Sequence, residues 1–497
     1  MLMKKIKISQ VVKSVNGRII HSKPSDVTSL SISSVSTNSK EISKGGLFVP
    51  IIGENHDGHN FIEDAYNHGA IACFTSRDDI YHDGLICIKV SDTLEALQNL
   101  ARSYRNQFSI PLIGITGSVG KTTTKEIVSS VLETKYKVLK TEGNLNSQIG
   151  LALMMFRIEE DHDIAVIEMG ISQEGEMERL VSIAQPNLAI VTNIGVSHIG
   201  LLKTQENIRK EKLNIINKFS NDSCLFINGN DDLLWELKTK KEDQDPSKHE
   251  NKENSQKFDK ISLNKATYEG LSNSKRISFG TRSRNDYRAI NIQSIDEKTH
   301  FTLVNKDKVI KEDLVINVLG VHNVNNALCA IALAEHFNIP INLGKQGLES
   351  YKPIGMRGEI KKAGGLTIID DTYNASPDSM KSGIDVLISL ENVKRKIAVL
   401  ADVLELGDIS KQAHYGVGQF ISQKDIDELV TIGNEAKYIA EGLRSHNNNI
   451  TVHSFNDNGQ AIDYLDTSCR PGDALLVKGS RGMKTEEIVN FFINKYN

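Results

Sequence analysis

The run Gly114-Ile115-Thr116-Gly117-Ser118-Val119-Gly120-Lys121-Thr122-Thr123-Thr124 combines the residue types that hold a nucleotide's phosphates. Gly117 and Gly120 let the backbone amides of Ser118, Val119 and Thr123 converge on phosphate oxygens. The helix expected from Lys125-Glu126-Ile127-Val128 adds its positive dipole end, Lys121 neutralises charge, and the Thr122 hydroxyl suits Mg²⁺. The spacing is the compact T-G-x-x-G-K-T, because Ile115 stands where the longer G-x-x-x-x-G-K-[ST] template has its first Gly. A Gly-rich turn without a ligand is the alternative; an apolar strand before the run and Lys and Thr behind it argue against that.

Other candidates follow apolar runs, at the strand ends where open α/β sheets bind ligands. Glu168 ends Ile164-Ala165-Val166-Ile167 and is placed to hold Mg²⁺ beside Thr122, since hard oxygens suit that ion. His198 comes just past another strand and fits a loop histidine as well as a ligand. Lys212, on a helix expected over 205–217, would alone be a solvated lysine. Gly320-Val321-His322-Asn323-Val324-Asn325-Asn326-Ala327 opens an Ala-rich helix whose polar side chains could read an adenine or cap the helix. Asp370-Asp371-Thr372-Tyr373-Asn374 precedes Pro377, which suits a first helical turn. Lys478-Gly479-Ser480-Arg481-Gly482 makes a cationic loop suited to a carboxylate-bearing substrate.

The elements that must position these groups form three units. The 497 residues are too many for one ordinary core. A small α/β unit covers 1–108, with strand-like runs at 47–52 and 70–74 and a helix from about Thr93 to Tyr104. Strands alternating with helices over 109–354 argue a mostly parallel central sheet. The alternation restarts over 355–497 as a second, Rossmann-like doubly wound domain. Residues 238–260 are Lys, Glu, Asp, Asn and Ser with almost no apolar side chain, which predicts a mobile surface insert. A net charge of −4 with interspersed signs gives no reason to expect a nucleic acid or an acidic membrane as partner. The five cysteines form no C-x-x-C pair and read as core thiols of a reducing compartment. Without a signal peptide or a membrane-length apolar run, a cytoplasmic, monomeric protein is expected.

Taken together these residues resemble the Mur ligases, the ATP-dependent amide-forming enzymes of peptidoglycan precursor synthesis. The resemblance spans the chain: Asn38-Ser39-Lys40, Gly45 to Val49, Gly53 to His59, Thr116 to Thr124, Gly143 to Gly150, Glu168-Met169-Gly170, Thr192 to Gly195, Gly320 to Ala327, Asp370 to Met380, Asp402 to Gly407 and Lys478 to Met483 follow in order. Tyr373-Asn374, Leu404-Glu405-Leu406-Gly407 and the Lys478 run are similar to the branch that adds D-alanyl-D-alanine. The family implies an N-terminal domain for the UDP-sugar, a central ATPase domain and a C-terminal domain that closes over the nucleotide.

By the same resemblance, Ser39 would contact the uridine diphosphate end of UDP-N-acetylmuramoyl-tripeptide, and Asn144 the substrate side of the cleft. Asn374, Lys478, Ser480 and Arg481 would also meet substrate. Glu168 and His198 would support magnesium, and Lys212, as a carbamate, would bridge a second metal. Asn323 and Asn326 would lie near adenine, with Arg357 and Asp370 reaching phosphate and ribose. Lys40 stands where Arg is usual, Asn214 where an acidic residue is expected, Ala152 for a common Pro and Ala401 for a Gly. A sibling ligase, tripeptide-forming or of the folylpolyglutamate type, is the nearest rival. A nucleotide switch that makes no amide bond is the other; a metal-bridging carbamate would have no purpose in it.

Overall fold

The computed structural model describes residues 3–21, 27, 29–239, 263–305, 310–447 and 449–496. The insert expected at 238–260 lies, from residue 240 on, outside them. The first unit carries a five-stranded sheet in the order Arg18–His21, Ile86–Lys89, Ala70–Thr75, Gly46–Phe48, Ser34–Ser36. It ends in the helix Thr93–Arg105, started by Asp92, whose side chain accepts the Glu95 N–H.

The central sheet has nine strands, in the order Ile310–Ile316, Lys298–Asn305, Tyr287–Ile295, Lys275–Gly280, Cys224–Asn228, Leu188–Val191, Leu112–Thr116, Ile164–Glu168, Val138–Lys140. The six from Lys275–Gly280 to Val138–Lys140 are parallel. Leu112–Thr116 and Ile164–Glu168 are buried along their whole length, as strands covered on both faces must be. An antiparallel meander, Tyr287–Ile295 to Ile310–Ile316, extends the sheet beyond the expected parallel part. The C-terminal unit has six strands in the order Glu359–Ala363, Leu366–Asp370, Ala474–Lys478, Lys396–Ala401, Glu428–Ile432, Thr451–Phe455; only the first edge is antiparallel.

The three units are not joined equally. One apolar cluster runs from Ile8, Val11 and Leu97 of the first sheet's unit into Leu151, Ile167 and Leu180 of the central unit. Polar ties reinforce it. Arg102 donates to the Ser182 carbonyl (2.8 Å) and hydroxyl (2.9 Å), buried Arg105 to the carbonyls of Ala184, Phe108 and Ile110, and the Tyr104 hydroxyl to the Ile158 carbonyl (2.8 Å). The C-terminal unit keeps two apolar clusters of its own, and the central unit reaches them mainly through Val196, Ile199 and Leu319.

The Gly53 to His59 stretch closes into a polar knot. The ring of His59 is fully buried, its Nδ1 lies 2.7 Å from Asp57 Oδ1, and its Nε2 accepts the Ser76 N–H (3.1 Å). Asp57 also accepts the His59 N–H (3.0 Å) and pairs with Arg77. The cysteines are thiols, and Cys73 and Cys87, far apart in sequence, are register partners with sulfurs 3.6 Å apart. No described helix is long and apolar enough to cross a membrane.

Burial pushes the Asp57 carboxyl up, but the His59 N–H and ring and the Arg77 guanidinium outweigh it and hold it below the ordinary 3.8. Its stabilising contribution is therefore complete above that value and lost as pH falls through the lower native one. Asp57→Asn is expected to destabilise the protein by about 1–3 kcal/mol at pH 7. Urea midpoints should draw together with those of the parent as pH falls below 3.8 and meet only below the lower native value.

Candidate active site

Leu112–Thr116 delivers the chain to the phosphate loop at the end of the central sheet, and the helix Lys121–Leu132 leaves it. The loop is held open from below. Thr192 Oγ1 and Asn193 Nδ2 donate to the Val119 carbonyl (2.6 and 3.0 Å), while the Val119 N–H donates to Asn193 Oδ1 (2.9 Å). Ser118 Oγ accepts the Gly195 N–H at 2.9 Å. Gly117 is required here: its φ is +149°, and a Cβ would sit 1.9 Å from Thr192 Oγ1. Lys121 Nζ donates to the Gly117 carbonyl (2.8 Å), folding its ammonium back over the loop. Burial lowers its pKa and nearby Arg357 adds to that, against the pull of Glu168.

Glu168 is 3 % exposed and carries the acidic side of the site. Its Oε2 accepts the Thr122 hydroxyl (2.9 Å), its Oε1 the Asn146 amide (2.8 Å), and its N–H donates to Thr141 Oγ1 (2.9 Å). Hydrogen bonds to a charged group contribute about 1.5–3 kcal/mol each, so this carboxylate has one position. Thr122 and Glu168 together offer the hard oxygen donors that Mg²⁺ takes, and they fit that ion. Deeper, Lys212 is 1 % exposed and has no hydrogen-bond or ion-pair partner among the described residues. Burial and the Lys121 cation push its pKa well below the lysine range, although Glu211 opposes them.

Lys121, Thr122 and Glu168 open on a cavity of about 470 Å³ lined by the central and C-terminal units together, whereas the expected Lys212 and Gly117 are not among its lining residues. The structure brings Ser118, Val119, Gly120, Lys121, Thr122, Thr123, Asn144, Glu168, His198, Asn323, Asn326, Arg357, Asn374 and Lys478 to it. Asn326 accepts the Thr124 hydroxyl (3.0 Å) and donates to Asn323, tying the Val321–His336 helix to the phosphate-loop helix. Arg357 lies 3.9 Å over the Tyr373 ring. Lys478 is less free than its charge suggests, donating to Asp371 Oδ2 (2.6 Å) and the Asn374 carbonyl (2.9 Å).

Other expected residues lie off the cavity. Asp370 is 1 % exposed and committed to Lys361 (2.7 Å) and the Thr372 hydroxyl (2.7 Å); its neighbour Asp371 faces the cavity instead. Ser480 Oγ accepts the Leu404 N–H, and Arg481 pairs with Glu486 at 3.1 Å. Ser39 is buried in the first unit, in a turn capped by Asn38. Sequence reasoning passed over Asn146, Asn193, Asp371 and Tyr373 as site residues. Asn146 had a signal, standing two positions from Asn144 in the same polar loop. His198 also has an unforeseen neighbour: its Nδ1 lies 3.0 Å from Glu405 Oε2 of the C-terminal unit.

Known proteins share this arrangement. The Mur ligase family, catalytic domain matches residues 31–105, the Mur ligase middle domain 115–334, and the Mur ligase, glutamate ligase domain 356–481. UDP-N-acetylmuramoyl-tripeptide--D-alanyl-D-alanine ligase of Bacillus subtilis is 38 % identical over 93 % of each chain. The Escherichia coli protein of that name is 29 % identical over 97 % of each. The crystal structure of MurF from Acinetobacter baumannii superposes with a TM-score of 0.85 at 25 % identity, over 99 % of this chain and 100 % of that one. MurF ligase from Thermotoga maritima, in complex with ADP, gives 0.77 at 26 %, over 93 % and 97 %. Matched by family models along its length and 38 % identical to one member over 93 % of each chain, the chain belongs to the Mur ligase family.

Proposed function

We propose that this chain joins D-alanyl-D-alanine to UDP-N-acetylmuramoyl-tripeptide at the expense of ATP, in the cytoplasm, giving the pentapeptide precursor of peptidoglycan. The observation that carries this is the meeting of Lys121, Thr122 and Glu168 of the central unit with Arg357, Asn374 and Lys478 of the C-terminal unit in one cavity, in a chain 38 % identical over 93 % of its length to a ligase of that name. Residues 1–108 would hold the UDP-sugar, 109–354 the nucleotide, and 355–497 close over it.

A carboxylate does not condense with an amine in water, because oxide would have to leave. The γ-phosphoryl of ATP passes to the terminal carboxylate of the tripeptide, giving an acyl phosphate; the dipeptide's amine attacks the acyl carbon and phosphate leaves. Lys121 and Arg357 neutralise charge on the phosphoryl group in flight, which is the main service a protein gives this reaction. Thr122 and Glu168 would hold Mg²⁺, which supplies charge neutralisation between phosphates when bound, with His198 beside them. Asn323 and Asn326 would flank the adenine. Closure of the C-terminal unit excludes water from the acyl phosphate.

Lys212 fits the carbamate reading on physical grounds. Burial lowers the pKa of this lysine and so favours the neutral amine, whose lone pair adds to carbon dioxide, forming an N–C bond and releasing one proton. The carbamate would offer an oxygen ligand to a second metal.

Three outcomes follow. Phosphate release should require both the UDP-tripeptide and D-alanyl-D-alanine, with the pentapeptide found by mass; release indifferent to the dipeptide would favour a sibling ligase or a switch. Lys121→Ala should lower turnover roughly 10³-fold with unfolding unchanged, because its ammonium makes one hydrogen bond to the protein. Lys212→Ala should cost about 100-fold, and ¹³CO₂-treated parent enzyme should show a carbamate carbon signal that the variant lacks. Full turnover in Lys212→Ala would reduce that residue to a buried lysine.

A further inference from the structure

Glu405 is an exposed glutamate in a strained place. Its φ is +71°, that of His198 opposite is +63°, and neither is glycine. Such conformations cost about 1–3 kcal/mol each and persist only where the surroundings impose them. Here two backbones impose them. The Gly200 N–H lies 3.4 Å from the Glu405 carbonyl oxygen. A Cβ on Gly200 would be 3.0 Å from that oxygen, and one on Gly407 3.1 Å from Gly200 Cα. The loop after Lys396–Ala401 is thus docked, without room for a side chain, onto the loop after Leu188–Val191. The docking delivers Glu405 Oε2 to 3.0 Å from His198 Nδ1, while the Glu405 side chain stays 64 % exposed. Even as an ion pair, a contact so exposed contributes about 0–1 kcal/mol, too little to offset the strain on both sides. Stability therefore does not explain the contact.

A carboxylate oxygen only accepts, so an Nδ1 this close must carry the proton. In the neutral ring the lone pair is then left on Nε2, and the ring lines the nucleotide cavity. We propose that Glu405 is a positioning residue. Its carboxylate, brought from the C-terminal domain, fixes His198 in the Nδ1–H form and so presents Nε2 to the divalent cation only when that domain is seated. The inference rests on the reading that His198 supports the metal. Carboxylates behind metal-binding imidazoles act in this way, and removing one typically costs 10–100-fold in metal affinity or activity. What differs here is that the carboxylate sits on another domain, so closure and the competence of the metal site become one event.

The test uses the full-length enzyme, metal-free and saturated with a non-hydrolysable ATP analogue. ¹⁵N-imidazole spectra would read the His198 tautomer, assigned with His198→Gln. Glu405→Gly removes the carboxylate and relieves the backbone, so a defect in it cannot come from strain; Glu405→Gln keeps an acceptor for Nδ1–H. The parent and Glu405→Gln should show the Nδ1–H form, and Glu405→Gly should shift to Nε2–H. Mn²⁺ affinity, read by electron paramagnetic resonance, should fall about tenfold or more in Glu405→Gly alone. An unchanged tautomer in Glu405→Gly overturns the proposal. A changed tautomer with unchanged Mn²⁺ affinity leaves Glu405 as the group that orients His198 and overturns the metal reading of that histidine.

Discussion

Glu168 sits at the end of a fully buried strand, 3 % exposed, accepting from Thr122 and Asn146. A carboxylate this deep costs several kcal/mol unless it is paired and hydrogen-bonded. Its partners explain much of the neighbouring architecture. The Val138–Lys140 strand brings Thr141 alongside it, the loop at 143–147 brings Asn146, and the phosphate-loop helix brings Thr122. Two of these segments, the loop at 143–147 and the start of the phosphate-loop helix, also line the cavity, so groups that make the buried charge tolerable also shape it.

The unequal joints between the units follow from what each must do. The first and central units share one apolar cluster, with Arg105 nine-tenths buried between them and its donors taken up by carbonyls. A joint of that kind holds the two as one body. The C-terminal unit has separate cores and meets the central one through small loops, among them Gly195, against which the Asp378 carboxylate lies so closely that a Cβ would be 2.5 Å away. Contacts made at loop tips can be broken without opening a core, which suits a domain that must admit three substrates and then exclude water.

Legibility in the sequence divides along the same line. The phosphate loop could be read because its residues act through their own backbone, within a dozen positions. The parallel strands could be read because burial on both faces makes them continuous apolar runs. The meander was missed because Tyr287–Ile295 faces solvent on one side and carries Asn291, Gln293 and Ser294 among its apolar residues. The helix expected to run to 217 tightens from α to 3₁₀ after Leu213 and continues to Ile216; Asn214 donates to Glu211 and accepts from Asn264 and Thr267 in a buried network no local pattern announces. Asp370 and Asp371 differ by one step at a strand end, and one step reverses the face of a strand. Which carboxylate met the cavity therefore depended on register. Glu405 was quoted only as part of a family pattern, since its partner lies 207 positions away on another domain.

Charge gives the last link between nucleotide and closure. In the central unit Lys121 faces Glu168, so that unit alone offers a triphosphate little surplus positive charge. Lys478 arrives already neutralised by Asp371. Arg357 is the cation closure adds: it rests on the Tyr373 ring, and it stands near enough to Lys121 to depress that ammonium's pKa. Without phosphates, seating the C-terminal unit brings two like charges together in a partly buried cavity, which opposes closure. Phosphate oxygens held between Lys121 and Arg357, as proposed above, would turn that repulsion into two attractions. The nucleotide thereby favours the closed arrangement by the difference between the two states, and closure favours the nucleotide by the same amount.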